Sequence, residues 1–129
     1  MAPKRTDLSR AELELMKTIW ELPQPVSVRK VLATAYPNDE KAYTTVQTLM
    51  NILVDKGFLS RFKVDNRNQY TELVDRETVV GGSIMKMAKE MFGGSVGALA
   101  SYLVDTDRLS EKELDELREI LKVKQGGPQ

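Results

Sequence analysis

The sequence predicts a mainly α fold with one small β-hairpin, and three observations carry that prediction. Apolar residues recur at helical spacing through most of the 129 residues. Over about 58–74 that period gives way to a strand-like alternation broken by turn residues. Serine and glutamate stand three apart at Ser9/Glu12 and again at Ser110/Glu113, each pair just ahead of an apolar stripe, which is how a capping box opens a helix.

The first helix is expected over about 10–22. Leu8 and Leu13 have the spacing of a hydrophobic staple around the Ser9 cap, and Leu13, Met16 and Trp20, widened by Leu15, Ile19 and Leu22, form the inward stripe. Pro23 and Pro25 end it. Ser27 caps a second helix with Val28, Val31 and Leu32 inward, running to about Tyr36, because Pro37 disfavours helix at the residue before it. After a polar turn at Asn38, Asp39 and Glu40, a third helix covers about 42–56. Its stripe is Val46, Leu49 or Met50, and Leu53, and Gly57 is its stop signal.

Strands are expected over 58–63 and 69–74 around an Asp65-Asn66-Arg67-Asn68 turn. Helix, helix, helix, hairpin is the order of a winged helix-turn-helix domain, placed at 1–74. Trp20 and Phe58 read as core residues. The rest, 75–129, reads as a helical dimerisation region. A helix over about 76–92 carries Val79, Val80, Ile84, Met87 and Met91, with a bend plausible at Gly81-Gly82 and a break at Gly93-Gly94. A shorter helix over about 95–104 holds Leu99 and Leu103. A last one holds Leu114, Leu117 and Leu121 before a Gly-rich tail. These three helices have few aromatics and little sequence with which to close a core. A second copy of the chain is the commonest way to bury such stripes. The competing expectation packs them back on the first domain.

Composition excludes several chemistries. The chain has no cysteine and no histidine, so it lacks the usual zinc ligands, a thiol nucleophile, a histidine general base and any disulfide framework. Glu12/Glu14 and Asp115/Glu116 are carboxylate neighbours without a phosphate loop or complementary base, so no enzyme, metal or cofactor is expected. No run reaches the 18 or so apolar residues of a membrane span, and the first ten residues have no signal-peptide core. The expected address is the cytoplasm, without membrane insertion.

The 19 basic and 19 acidic residues cancel overall but not locally. Between Lys41 and Tyr70 there are five basic and two acidic residues, a net +3, and Lys4 and Arg5 add charge to an N-terminal arm. The acidic excess sits mainly in Asp105–Glu119. The third helix presents Thr44, Thr45, Gln47, Thr48 and Asn51 beside its apolar stripe. In a helix-turn-helix this helix enters the major groove, where hydroxyls, methyls and amides meet base edges. β-branched threonines are poor choices for merely solvating a helix. These five are the candidates for base contact or register. Lys41, Tyr43, Lys56, Arg61 and Lys63 are candidates for phosphate, and Arg67, in a wing over about 64–68, for phosphate or a minor groove. A winged-helix module that binds a protein instead of DNA is the rival reading. It requires apolar residues exposed on the third helix.

Glu12, Met16 and Trp20, then Tyr43-Thr44-Thr45-Val46-Gln47-Thr48-Leu49, then Lys56-Gly57-Phe58-Leu59, then Gln69-Tyr70 resemble, in order and spacing, the penicillinase-repressor and methicillin-resistance-regulator family. The resemblance runs from about Leu8 to Leu121. It implies a homodimeric winged-helix transcriptional repressor on an inverted-repeat operator in double-stranded DNA, with interlocking C-terminal helices. On that likeness Thr44, Thr45 and Thr48 lie at the reading end and Arg67 in the wing. In β-lactam-sensing members a membrane sensor-protease system triggers cleavage at an Asn-Phe bond. The corresponding pair here is Tyr102-Leu103, a departure from that pattern. Copper-responsive relatives carry a C-terminal cysteine cluster, which this chain lacks.

Overall fold

The computed structural model describes residues 7–125. Helices α1 (Arg10–Glu21), α2 (Val28–Ala35) and α3 (Tyr43–Asp55) precede strands β1 (Leu59–Val64) and β2 (Arg67–Glu72). Helices α4 (Arg76–Met91), α5 (Val96–Asp105) and α6 (Glu111–Gln125) follow. The order helix, helix, helix, hairpin is the one expected. The Lys4–Arg5 arm and the 126–129 tail lie outside the described residues. The chain divides into two compact units, one ending at Val80 and one beginning at Gly81.

The first unit is built on local signals that close over one core. At α1 the capping box is reciprocal: Ser9 N–H donates to Glu12 Oε1 at 2.9 Å, and Glu12 N–H donates to Ser9 Oγ at 3.2 Å. Leu15, Met16 and Ile19 are fully buried and meet Val28 and Val31 of α2 and Val46, Met50 and Leu53 of α3. Of the two residues open for the α3 stripe, Met50 takes the core position and Leu49 packs at its edge. Phe58, Leu59, Tyr70 and Val74 close the far side. Trp20 sits half-buried against this core, with its indole N–H donating to the Val74 carbonyl at 2.9 Å. That bond gives the polar end of a packed aromatic its partner.

Gly57 ends α3 in the left-handed region, φ 89°. Gly57 N–H donates to Val54 O at 3.0 Å and Phe58 N–H to Leu53 O at 2.9 Å, the paired bonds of a Schellman turn. The chain therefore enters the hairpin in a fixed direction.

The hairpin departs from expectation in its boundaries. Pairing runs from Leu59↔Glu72 to Val64↔Arg67, so the turn is only Asp65-Asn66. Both have positive φ, 52° and 65°, as a two-residue turn matched to strand twist requires. Arg67 and Asn68, expected in the turn, are the first residues of β2. Asp and Asn tolerate that backbone well enough to turn the chain unaided. One strand-like residue was not expected at all. Val26 exchanges two backbone bonds with Tyr70, each 2.8 Å, which adds a third rung of chain beside β2. Gln24 reinforces it: its side-chain amide donates to Ile19 O and Leu22 O, and its Oε1 accepts from Glu72 N–H at 3.0 Å.

A buried ion pair ties the start of α1 to the end of α3. Lys56 Nζ lies 2.6 Å from Glu12 Oε1, and Glu12 is 5% exposed. Lys56 Nζ also donates to the Asp7 carbonyl at 3.2 Å.

α4 begins in the first unit, runs without interruption through Gly81-Gly82 into the second, and stops at Gly93 and Gly94, with φ of 58° and 86°. Ser95 caps α5 by accepting from Ala98 N–H at 2.9 Å. Phe92 and Tyr102 meet with ring centroids 5.8 Å apart. The second capping box is also reciprocal, Ser110 N–H to Glu113 Oε1 at 2.9 Å and Glu113 N–H to Ser110 Oγ at 3.1 Å. Among the described hydrophobic residues of the second unit only Ala88 is buried, while Ile84, Met87, Met91, Leu117 and Leu121 are all exposed.

Burial opposes ionisation of Glu12, but the Lys56 hydrogen bond, the bonds from Ser9 and the Lys56 charge together outweigh it and hold the carboxyl below its ordinary value of 4.5. A depressed folded-state value contributes stability that is present above pH 4.5 and is lost as pH falls through the lower, folded value. Glu12→Gln should therefore lose about 1–3 kcal/mol at neutral pH, since it leaves a half-buried ammonium short of its partner. Its stability should also fall less steeply under acid than that of the parent. Denaturant melts from pH 7 to pH 3 measure both, and parallel pH curves for the two proteins would refute the pairing.

Candidate nucleic-acid interface

α3 divides cleanly between its two faces. Val46, Met50 and Leu53 are buried, and Thr44, Thr45 and Thr48 are exposed. Thr44, Thr48 and Asn51 are spaced four and three apart, with Gln47 beside them, so they line one strip along the helix. Gln47 and Asn51 are half-buried at its margin. The N-cap is Ala42, which supplies no side-chain cap. The positive end of the helix dipole is therefore left open beside Thr44 and Thr45, a suitable place for an anion.

Lys41 stands just ahead of that helix end, its Nζ 5.5 Å from the centre of the Tyr36 ring. Tyr36 is itself fixed: its hydroxyl donates to Glu14 Oε1 at 2.6 Å, and burial together with Glu14 pushes its ionisation well up, so it remains neutral. A cation resting on a fixed ring keeps its remaining donors free for a second partner. Tyr43, at the first helical position, is 43% exposed.

Pairing in the hairpin assigns its faces. Side chains alternate along each strand, and directly paired residues share a face. Leu59, Arg61 and Lys63 thus lie with Glu72, Tyr70 and Asn68, while Ser60, Phe62 and Val64 lie with Thr71, Gln69 and Arg67. Leu59 and Tyr70 are buried, so the first face is the one turned to the core. Toward the tip this face becomes basic at Arg61 and Lys63. The opposite face carries exposed Phe62 and Val64. Apolar residues facing out and cations following the core-side face is the reverse of an ordinary surface hairpin. It suits a hairpin whose inner edge meets a polyanion.

Arg61 Nη1–H donates to Asn51 Oδ1 at 2.8 Å, and the Tyr70 hydroxyl donates to the same oxygen at 2.8 Å. Burial raises the Tyr70 ionisation against the opposing pull of Arg61, so the hydroxyl keeps its proton and acts as donor. The structure thus brings Asn51 and Arg61 together beside the threonine strip and sets Lys63 on the Arg61 face. Arg67 lies at the tip, on the other face.

It does not bring Lys56 to this surface. That ammonium sits at the C-terminal end of α3 on Glu12, a partner 44 residues away for which sequence spacing holds no signal. Sequence reasoning also missed Gln24, Tyr36 and Glu14. Their roles depend on pairings between elements, and no local motif marks them.

An open cavity of about 340 Å³ is lined by Glu72, Leu73, Val74, Asp75 and Thr78, none of them a candidate site residue. Among the described residues no group of three or more Asp or Glu is arranged to hold a metal, and no helix is long and apolar enough to cross a membrane.

The chain is similar to known proteins over nearly its whole length. It is 26% identical over 121 residues to a penicillinase repressor of Staphylococcus aureus, covering 94% of this chain and 95% of that one. It is 28% identical over 124 residues to the methicillin resistance regulatory protein MecI of Staphylococcus aureus strain N315, covering 96% of this chain and all of that one. Among solved structures, the DNA-binding domain of the repressor BlaI superposes with a TM-score of 0.52 at 29% identity, over 59% of this chain and 92% of that domain. That likeness matches the winged-helix architecture of the first unit. The model of the penicillinase repressor family matches residues 8–123, and with that match the chain belongs to the penicillinase repressor family.

Proposed function

We propose that this protein is a homodimeric, sequence-specific transcriptional repressor that acts in the cytoplasm on an inverted-repeat operator in double-stranded DNA. The observation that carries the proposal is the exposed threonine strip of α3 lying beside the basic inner face of the hairpin. In the family this chain belongs to, the named members are repressors and not enzymes. The rival protein-docking module needs an apolar strip where α3 instead exposes Thr44, Thr45 and Thr48.

In this reading α3 enters the major groove, where Thr44, Thr45, Gln47 and Thr48 meet base edges and set register. Lys41, Tyr43, Arg61 and Lys63 hold phosphates, as does the uncapped N-terminus of α3. Arg67 reaches the flanking backbone or minor groove from the wing tip. Lys56 takes no part, because its charge is already committed to Glu12. The dimer forms through α4, α5 and α6, using Val80, Ile84, Met87, Met91, Leu99, Leu103, Leu114, Leu117 and Leu121.

Repression ends when the dimer is lost. A membrane sensor-protease system that cuts this chain would find Tyr102-Leu103 inside α5. A protease needs the chain extended, so α5 must open locally before a cut there. Release by simple dissociation has no such barrier.

With Arg67 on the flanking backbone, Lys41, Arg61, Lys63 and Arg67 make about eight phosphate contacts per dimer, so log K against log salt should fall with a slope of about −7. Titrating binding to a palindromic promoter fragment between 50 and 300 mM salt (roughly the range in which such slopes are linear) measures it. A flat line ends the phosphate role. The interface makes a separate prediction. The double variant Leu117→Glu, Leu121→Glu places charge in the exposed stripe of α6. It should sediment as a monomer with its winged-helix unit folded and bind the full operator about 100-fold more weakly, because the second half-site is then engaged independently. A dimer that survives both charges locates the interface elsewhere.

A further inference from the structure

We propose that Asn51 is a positioning residue: its side-chain oxygen fixes the angle of the wing to the recognition helix, and it does not read a base through that oxygen. The inference rests on the DNA-binding reading of α3 and the hairpin given above.

A carbonyl oxygen has two lone-pair directions, and at Asn51 Oδ1 both are taken, by Arg61 and by Tyr70, each at 2.8 Å. An acceptor so occupied is not available to a base amino group. The two donors are not independent residues. Arg61 and Tyr70 are directly paired across β1 and β2, so a single rung of the hairpin is docked on a single atom of α3. Asn51 stands three residues after Thr48 and seven after Thr44, on the strip that faces the groove. The rung is therefore pinned to the reading surface itself.

Beyond that rung three more pairs run out to the turn: Phe62↔Gln69, Lys63↔Asn68 and Val64↔Arg67. They form a lever of about 10 Å at the usual rise per residue. A rotation of about 20° at the rung would displace the tip by about 3 Å, the length of a hydrogen bond. Arg67 and Lys63 keep their phosphates only if the rung does not turn. Tyr70 is fully buried and its backbone is held by Val26 from the other side, so its hydroxyl cannot turn outward for water. Its hydroxyl proton goes to Asn51, and the Arg61 guanidinium is the other polar group beside it. Arg61 is exposed and contributes the second, charged tether, leaving its other N–H groups for DNA.

The test is hydroxyl-radical footprinting and salt titration of the full chain on a palindromic promoter fragment, with Asn51→Ala, Tyr70→Phe and the double variant. Each single variant should lose protection at the sequence flanks under the wings, bind about tenfold more weakly, and lower the salt slope by about 2 per dimer or more as wing phosphates are released. Base preference at the centre of each half-site should not change. The double variant should lose no more than Asn51→Ala alone, because that change already removes both tethers.

A changed preference at one base pair in Asn51→Ala, with flanking protection intact, would overturn the proposal and make Asn51 a base reader. Additive losses in the double variant would also overturn it. If Asn51→Ala does not fold, Tyr70→Phe decides alone, since it removes one buried hydroxyl and no volume. A parent protein that leaves the flanks unprotected would remove the wing contact itself, and the positioning role with it. That outcome differs from a parent footprint that is normal and a variant footprint that does not move.

Discussion

The first unit depends on the burial of Tyr70. This side chain has no exposure, and a buried phenol must find a partner for its hydroxyl or forfeit about 1–3 kcal/mol. The partner is on α3, the backbone of the same residue is paired to Val26 ahead of α2, and its strand neighbour is Arg61. One residue thus joins the segment before the helix-turn-helix, the helix that presents the threonines and the hairpin that carries the cations. Loss of volume at this point would open the core. Loss of the hydroxyl alone would leave the core closed and free the angle between helix and wing. Stability and geometry are separable here, because the ring supplies one and the oxygen the other.

The two ends of α3 are prepared for different tasks by the same electrostatic rules. Its N-terminus has no side-chain cap, so the helix dipole is unspent where Thr44 and Thr45 are exposed. Its C-terminus closes in a Schellman turn, and the adjacent Lys56 is drawn to Glu12. Glu12 serves twice, as the N3 residue of the α1 capping box and as the anion for Lys56. A carboxylate taken out of water at 5% exposure needs several donors, and Ser9 and Lys56 supply them. The ion pair orients α1 against α3 and removes one lysine from the basic surface.

What the sequence made legible was what is decided over a few residues. Both Ser/Glu capping boxes, the Gly57 stop and the Gly93-Gly94 break are local bargains between side chain and backbone, and the structure has them as expected. The exposed face of α3 followed from its period. Strand ends were less legible, because Asp65, Asn66, Arg67 and Asn68 all have turn character and nothing local says that two of them suffice. The Val26 bridge was not legible at all: one extended residue between Pro25 and Ser27 has no period to detect. Lys56 looked like any other cation on the basic stretch, and the charge that claims it comes from 44 residues earlier. Asn51 stands among the base-contact or register candidates by its type and spacing, and only the register of the hairpin brings Arg61 and Tyr70 to its oxygen.

The apolar stripes of the second unit were legible, but their consequence is thermodynamic. With Ala88 as the only buried hydrophobic residue among those described, α4, α5 and α6 gain little from burial within one chain. Helices of 10 to 16 residues are marginal in water without packing. In the proposed dimer their order and their association are one equilibrium, so the stability of this unit depends on protomer concentration. The operator then adds a third linked term. DNA that holds two winged-helix units side by side raises the effective concentration of their C-terminal helices, and the dimer in turn raises affinity for the second half-site. Such a repressor needs no ligand pocket to be switched. In that dimer, whatever lowers the population of associated helices lowers operator occupancy by the same linkage.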